Sequence, residues 1–248
     1  MFHFILTDAR KGFYSNRYKY LAFAIFFGIV LFECFGYYSL ENVKPGLYDM
    51  LEYIFGGCMP FDLKRNPDFN MPLLWFILPV YSSFSIMSIA KKDINGYGVN
   101  MLLKSKNRTL WYVSKNIFLF LNTAAIYFIS VVMICVSVKK APDEKFVKAV
   151  LSAMISTFAI MCVQLFIEVF TKSIFGFLSS VIILLLTSFF NIKYVPGGIS
   201  MTDRLKIFNP EGFFNYSQIL TVCFCYFIAF LILGCVLFNR KDIFSYEK

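Results

Sequence analysis

The sequence predicts an all-α polytopic membrane protein, and three observations carry that prediction. Hydrophobic residues make up 58% of the 248 and charged residues only 16%, where a soluble chain carries roughly 25%. Aromatic residues reach 20%, with 32 Phe, and the mean hydropathy is +0.66. No interior of a chain this size hides so much apolar surface, so the excess faces lipid. The apolar residues also come in long unbroken runs, which disfavours a transmembrane barrel with its alternating segments of about ten. A soluble enzyme, a disordered chain and a secreted disulfide scaffold are excluded on the same grounds.

Six runs approach the ~20 residues that a helix needs to cross the hydrocarbon core. They lie at residues 20–40, 71–90, 117–138, 149–171, 174–190 and 217–238. Before the first, MFHFILTDARKGFYSNRYKY mixes Phe2, Phe4, Ile5 and Phe13 with Arg10, Lys11, Arg17 and Lys19, which predicts a helix lying in the membrane interface. The basic start and the missing small-residue cleavage site argue against a signal peptide. Between the first and second runs, Tyr48, Leu51, Tyr53, Ile54 and Phe55 predict a short half-exposed helix ended by Gly56-Gly57. Residues 91–116 intersperse Val99, Leu102, Leu103, Leu110, Trp111 and Val113 with Lys104, Lys106, Arg108 and Lys115. That is an amphipathic element with a basic face, suited to anionic lipid headgroups or to a cytoplasmic partner. Only Lys172 and Ser173 separate the fourth and fifth runs, which predicts a tight hairpin. In 191–216, Pro196-Gly197-Gly198 makes a turn, Asp203 to Phe208 could form a helical turn or two, and Phe213, Phe214 and Tyr216 return at headgroup depth.

Lys and Arg counts set the expected orientation. With both termini cytoplasmic, 14 of the 24 basic residues fall inside and 10 outside. Nine of the 15 acidic residues fall outside and four inside. The basic excess is therefore a topology signal and not a nucleic-acid footprint. The 139–148 loop, with Lys139, Lys140, Lys145 and Lys148, fits this orientation least well.

No catalytic or metal-binding constellation is legible. The chain has one His, His3, and six of its seven Cys lie in apolar runs, where Cys behaves as a small hydrophobe. It contains no H-E-x-x-H, no G-x-S-x-G and no phosphate-binding G-x-x-x-x-G-K-[ST]. Energy for any active transport would come from another chain or an ion gradient. No cofactor, metal or nucleic acid is expected.

Ionisable groups inside a span are candidates for function. Glu33 stands one turn before Tyr37 in the first run, and is the better candidate for a buried role. Glu168 in the fourth run follows Gln164 by one turn, and Thr157, Gln164, Glu168 and Thr171 draw a polar stripe down one face. Interhelical hydrogen bonds account for such a stripe, with Glu168 snorkelling to the interface beside Lys172. Ser82, Ser83, Ser85 and Ser88 read as small packing residues, and Pro79 is the only candidate break in the second run.

In this arrangement the chain resembles the permease subunits of type-2 ABC exporters. The corresponding pieces are MFHFILTDARKGFYSNRYKY, NGYGVNMLLKSKNRTLWYVSKN, SMTDRLKIFNPEGFFNY and the closing VLFNRKDIF. Within that class it is similar to the small permeases of lantibiotic, bacteriocin or antimicrobial-peptide export and immunity systems, with the residue bias of an AT-rich Gram-positive source. The resemblance implies six transmembrane helices, an N-terminal interfacial helix, a cytoplasmic coupling element and short re-entrant helices between the last two spans. It implies a plasma-membrane protein that exports an amphipathic peptide or lipid-like substrate through a path between two permeases, a homodimer or heterodimer. A separate cytoplasmic ATPase would bind ATP and magnesium and dock on Asn95, Tyr97, Leu102, Leu103, Lys104, Lys106, Arg108 and Trp111. Glu33, Tyr37, Gln164 and Glu168 would be contacts of the path. Two rivals are an ion-coupled secondary transporter, which needs interrupted helices around polar groups, and a non-transporting accessory or sensor protein.

Overall fold

A computed structural model describes residues 2–40, 43–60, 71–95, 108–190 and 192–240, with backbone alone for 2–5 and 95. The described residues form eight α-helices: α1 (Phe2–Leu40), α2 (Leu47–Phe55), α3 (Leu73–Ile86), α4 (Ile89–Asn95), α5 (Arg108–Val138), α6 (Glu144–Phe170), α7 (Ser173–Phe189) and α8 (Tyr216–Arg240). No strand occurs among them. Five stretches are long and apolar enough to cross a bilayer: Leu6–Leu40, Leu73–Ile94, Arg108–Val138, Glu144–Phe170 and Tyr216–Arg240. The 17 residues of α7 are free of charged side chains and about 25 Å long, at the short end of what spans. The protein is an all-α polytopic membrane protein.

The starts of α1 and α5, the ends of α4 and α8 and the α6–α7 turn lie at one end of the bundle, here the terminal end. The α2 helix, the α5–α6 turn and the α7–α8 loop lie at the other, the loop end. Helix α6 is central and packs against α2, α3, α4, α5, α7 and α8. Its first turns carry Ala149, Ser152, Ala153, Ser156, Thr157 and Ala159, all buried, and such small side chains let neighbouring backbones approach. Phe32, Phe128, Phe224 and Val136 stand on the perimeter, each more than 60% exposed, where lipid takes the place of a partner.

Two expectations about elements are corrected. The N-terminal segment is no separate interfacial helix: α1 is one continuous helix about 58 Å long. It runs parallel to α5, with Asp8 on Lys115, Phe13 on Phe118 and Asn16 on Asn122, a near-constant offset along both helices. Residues 6–20 therefore turn their buried face to α5, and Lys19 reaches α3. Likewise Leu110, Trp111 and Val113 belong to the first turns of α5, nine residues before the expected start of that span.

The loop end follows the expectations more closely. Helix α2 ends at Gly56, and Gly57 takes a left-handed φ of +83° that favours glycine. It is not half-exposed, since Leu47, Met50, Leu51, Ile54 and Phe55 are all buried. Asp143 caps α6 by accepting from the Phe146 amide at 3.0 Å, and the Tyr48 hydroxyl of α2 donates to its other oxygen. That bond holds the Asp143 carboxyl below its ordinary range and raises the Tyr48 phenol. Between α7 and α8 the expected short helices are two three-residue 3-10 turns, Gly198–Ser200 and Thr202–Arg204. In place of the helical turns expected from Asp203 to Phe208, residues 205–214 form a loop closed by a single parallel bridge, with Lys206 N on Phe214 O and Phe214 N on Arg204 O, both at 3.1 Å.

Candidate functional site

Polar side chains meet inside the bundle at a break in the second span. Helix α3 stops at Ile86 and α4 begins at Ile89, with Met87 extended and Ser88 at φ +72°. Pro79, where a break was expected, is passed within α3 without one. A broken helix leaves carbonyls on one side and amides on the other without partners, each costing several kcal/mol in a membrane if left so. Here several of them are met by side chains of other helices. The Ser83 carbonyl accepts from Gln164 Nε2 at 3.1 Å, the Phe84 carbonyl from Met87 N at 3.2 Å, and the Ser85 carbonyl from Lys19 Nζ at 2.7 Å. Across the break, the Glu168 carboxylate accepts from the Lys91 amide at 3.4 Å and from the Ser173 hydroxyl at 3.3 Å. A cation at the carbonyl end of α3 and an anion at the amide end of α4 both oppose the local helix dipoles.

The surroundings brace this junction. Gln164 Oε1 accepts from Ser83 Oγ at 2.5 Å and Ser180 Oγ at 3.0 Å, so one side chain of α6 holds both α3 and α7. Asn122 of α5 donates to Ser85 Oγ at 2.7 Å and accepts from the Tyr20 hydroxyl at 2.6 Å. The Tyr81 hydroxyl donates to the Lys19 carbonyl at 2.6 Å. Gln164, Ser83, Ser85, Asn122 and Glu168 are each at most 2% exposed.

A second cluster lies toward the terminal end. Lys115, almost wholly buried, pairs with Asp8 of α1 at 2.5 Å and with Asp93 of α4. Ser114 Oγ donates to the other Asp8 oxygen at 2.8 Å. The starts of α1 and α5 are thereby tied to the end of α4, on both sides of residues 96–107.

At the loop end Arg204 is the largest fully buried side chain. Its guanidinium donates to the carbonyls of Cys58 (2.8 Å), Thr187 (2.7 Å) and Ser188, capping the end of α7 and pinning it to the α2 loop. Burial lowers the Arg204 pKa, and burial with Glu52 nearby raises that of Asp203.

These placements revise several expected roles. Glu33 and Tyr37 lie on the outer face of α1, both exposed, so the face that buries Phe23, Phe27 and Cys34 excludes them from the interior. Glu168 is buried and bonded to the Lys91 amide, which excludes snorkelling beside Lys172. Ser83 and Ser85 are bonding groups, not packing spacers. Of the stripe, Thr157 meets the Tyr127 hydroxyl at 2.7 Å, while Thr171 bonds back to its own helix. Trp111 is 2% exposed and stacked on Phe238 at 4.9 Å, so its indole is packing between α5 and α8 and not a free docking surface. Arg108 donates to the Asn239 carbonyl at 3.3 Å. Asn95 ends α4, and Tyr97, Leu102, Leu103, Lys104 and Lys106 lie outside the described residues. Sequence reasoning missed Lys19, Asn122, Lys115 with its two partners, and Arg204. Asn122 was open to detection as a carboxamide in an apolar run. The others sit where a basic residue reads as a loop or flank charge.

Among the described residues no group of His, Cys, Asp and Glu could hold a metal ion. An apolar groove of about 630 Å³ opens on the perimeter between α5, α6 and α8, floored by Asn116, Phe158 and Cys223.

The family model described as protein of unknown function (DUF2705) matches residues 66–244. The chain belongs to this family. The match takes in the DUF2705 chain from just before α3 to the end of α8, and so includes the broken span, Lys115, Glu168 and Arg204. Comparison with curated proteins and with solved structures found no match.

Proposed function

We propose that this chain is the membrane subunit of an ATP-driven exporter, moving an amphipathic peptide or lipid-like substrate across a bacterial plasma membrane. The observation that supports this reading best is the Lys115 cluster. It holds the start of α1, the end of α4 and the start of α5 as one terminal-end unit, and in the sequence Lys104 and Lys106 fall between the last two. A cytoplasmic ATPase docking there would push on three helices through two ion pairs. The chain carries no nucleotide-binding motif of its own, so ATP and magnesium would belong to that partner, and a second permease would complete the path. Both termini would face the cytoplasm.

The test is copurification. The chain, expressed with its neighbouring genes and purified in mild detergent, should bring down a stoichiometric ATP-binding subunit. Reversing the charge of Lys104 and Lys106 should abolish that association. Arg108 is left native, because its bond to Asn239 belongs to the α5–α8 contact. Association unchanged by the reversal would make the segment a lipid anchor, and a lone chain would overturn the reading.

One observation favours a second reading. An interrupted span beside a buried carboxylate is also how ion-coupled transporters build their sites. Substrate uptake driven by a sodium or proton gradient, without ATP, would select it.

A further inference from the structure

We propose that the Met87–Ser88 break is a hinge on which α4 turns against α3, and that Glu168 and Lys19 are the latch that holds it in the arrangement described. The argument rests on where the bonds go. A kink that exists only to fit the bundle needs its orphan backbone groups satisfied by any convenient partner. At this break the partners are two charged side chains from two other helices, Lys19 of α1 on the α3 side and Glu168 of α6 on the α4 side. Neither charge is paired with the other: each is spent on backbone at its own half of the break. Gln164 adds a second bond on the α3 side, to the Ser83 carbonyl.

The two halves are held in different ways, as a hinge requires. Helix α3 is fastened to α5, α6 and α7 through Asn122, Gln164 and the Ser180–Gln164 bond. Seven-residue α4 is fastened at its start by Glu168 and near its end by the Asp93–Lys115 pair. Ser88, a non-glycine residue at φ +72°, occupies a conformation that the chain leaves on straightening. When α4 swings into line with α3, the Glu168 contact to the Lys91 amide and the Asp93–Lys115 pair open and the Ser85 carbonyl exchanges Lys19 for an amide of α4, while the Asn122 and Gln164 bonds of α3 stay. Glu168 and Lys19 are positioning residues, acting through the backbone they hold. The hinge goes beyond the exporter reading. Only its use, to move the segment after α4, rests on that reading, so the hinge is tested in the isolated chain with no ATPase present.

The experiment is a distance measurement by pulsed electron paramagnetic resonance on the full chain in lipid nanodiscs. Spin labels enter through a non-canonical amino acid, leaving the seven native cysteines alone. One pair, at exposed Leu73 and Lys92, reports the angle between α3 and α4. A control pair, at exposed Ile25 and Phe128, reports the α1–α5 contact. Native protein should give one narrow distance for each pair. Glu168→Ala and Lys19→Ala should each add a second Leu73–Lys92 population displaced by ~5 Å, about one helical turn, with the control pair unmoved. Should Glu168→Ala fail to fold, Glu168→Gln and Lys19→Gln decide in the same way. Unchanged Leu73–Lys92 distances in folded variants would make the break a fixed kink and overturn the proposal. Broadening of both pairs together would overturn it too, by showing a general loss of packing.

Discussion

Gln164 and Tyr127 both make buried interhelical hydrogen bonds, yet they should not matter equally. Tyr127→Phe removes one bond, to Thr157, and leaves a hydroxyl that can turn back on its own helix. Its cost should lie near the ~0.6 kcal/mol average for such bonds in membranes. Gln164→Leu leaves the Ser83 carbonyl and Ser83 Oγ short of a partner at once and turns Ser180 Oγ back on the Gly176 carbonyl of its own helix. It should cost on the order of 2–3 kcal/mol, read as a lower unfolding midpoint in detergent. Asp143 gives a pH dependence whose sign follows from its depressed pKa. The cap and the Tyr48 bond stabilise the ionised form, so their contribution is present above the unfolded carboxylate pKa of about 4 and disappears as pH falls through the lower folded value. Native protein should melt above Asp143→Asn at pH 6, and the difference should shrink as the pH falls below about 4.

At the scale of elements, the α6–α7 hairpin depends on one glycine. The turn at Thr171–Lys172 leaves the two helices antiparallel and in contact, and a Cβ on Gly176 would lie 2.9 Å from the Gln164 carbonyl oxygen. Gly176→Val should push α7 off α6 and pull Ser180 away from Gln164. We expect a loss of a few kcal/mol and faster amide exchange in 176–184, measured by hydrogen–deuterium exchange. Exchange confined to the α7–α8 loop would instead locate the strain at Arg204. The α1–α5 pair illustrates the opposite case, where parallel helices are held by contacts spread over several turns, from Asp8 to Tyr20, so no single residue controls the register.

For the molecule as a whole, the two ends differ in kind. The loop end is closed by backbone bonds around Arg204 and by the Tyr48–Asp143 contact, while the terminal end is held by ion pairs around Lys115. The expected orientation places the loop end outside. A membrane-impermeant amine reagent applied to intact cells should therefore modify exposed Lys139 and Lys140 and spare Lys92 until the membrane is opened. The reverse pattern would invert the topology and move any cytoplasmic docking to the loop end.

The sequence by itself determined the class of protein, because apolar composition and run length are additive along the chain and survive ignorance of the contacts. It placed the apolar core of each spanning helix and the α6–α7 turn, though α1, α4 and α5 each extend past the runs that announced them. It also located α2 and its glycine end, since helix ends are written in local backbone chemistry. It did not determine which polar residues are inside. Glu33 and Glu168 look alike along the chain, each an acid in an apolar run, and only the packing faces of α1 and α6 made one exposed and the other buried. The break at Met87–Ser88 escaped for a related reason. Pro79 carries a local signal, whereas the actual break is made stable by Lys19, Gln164 and Glu168, which stand some 70 to 80 residues away in either direction. Arg204 and Lys115 read as loop or flank charges until the fold supplied three carbonyls for one and two carboxylates for the other. A buried charge is decided by its partners, and partners distant in sequence belong to tertiary structure alone.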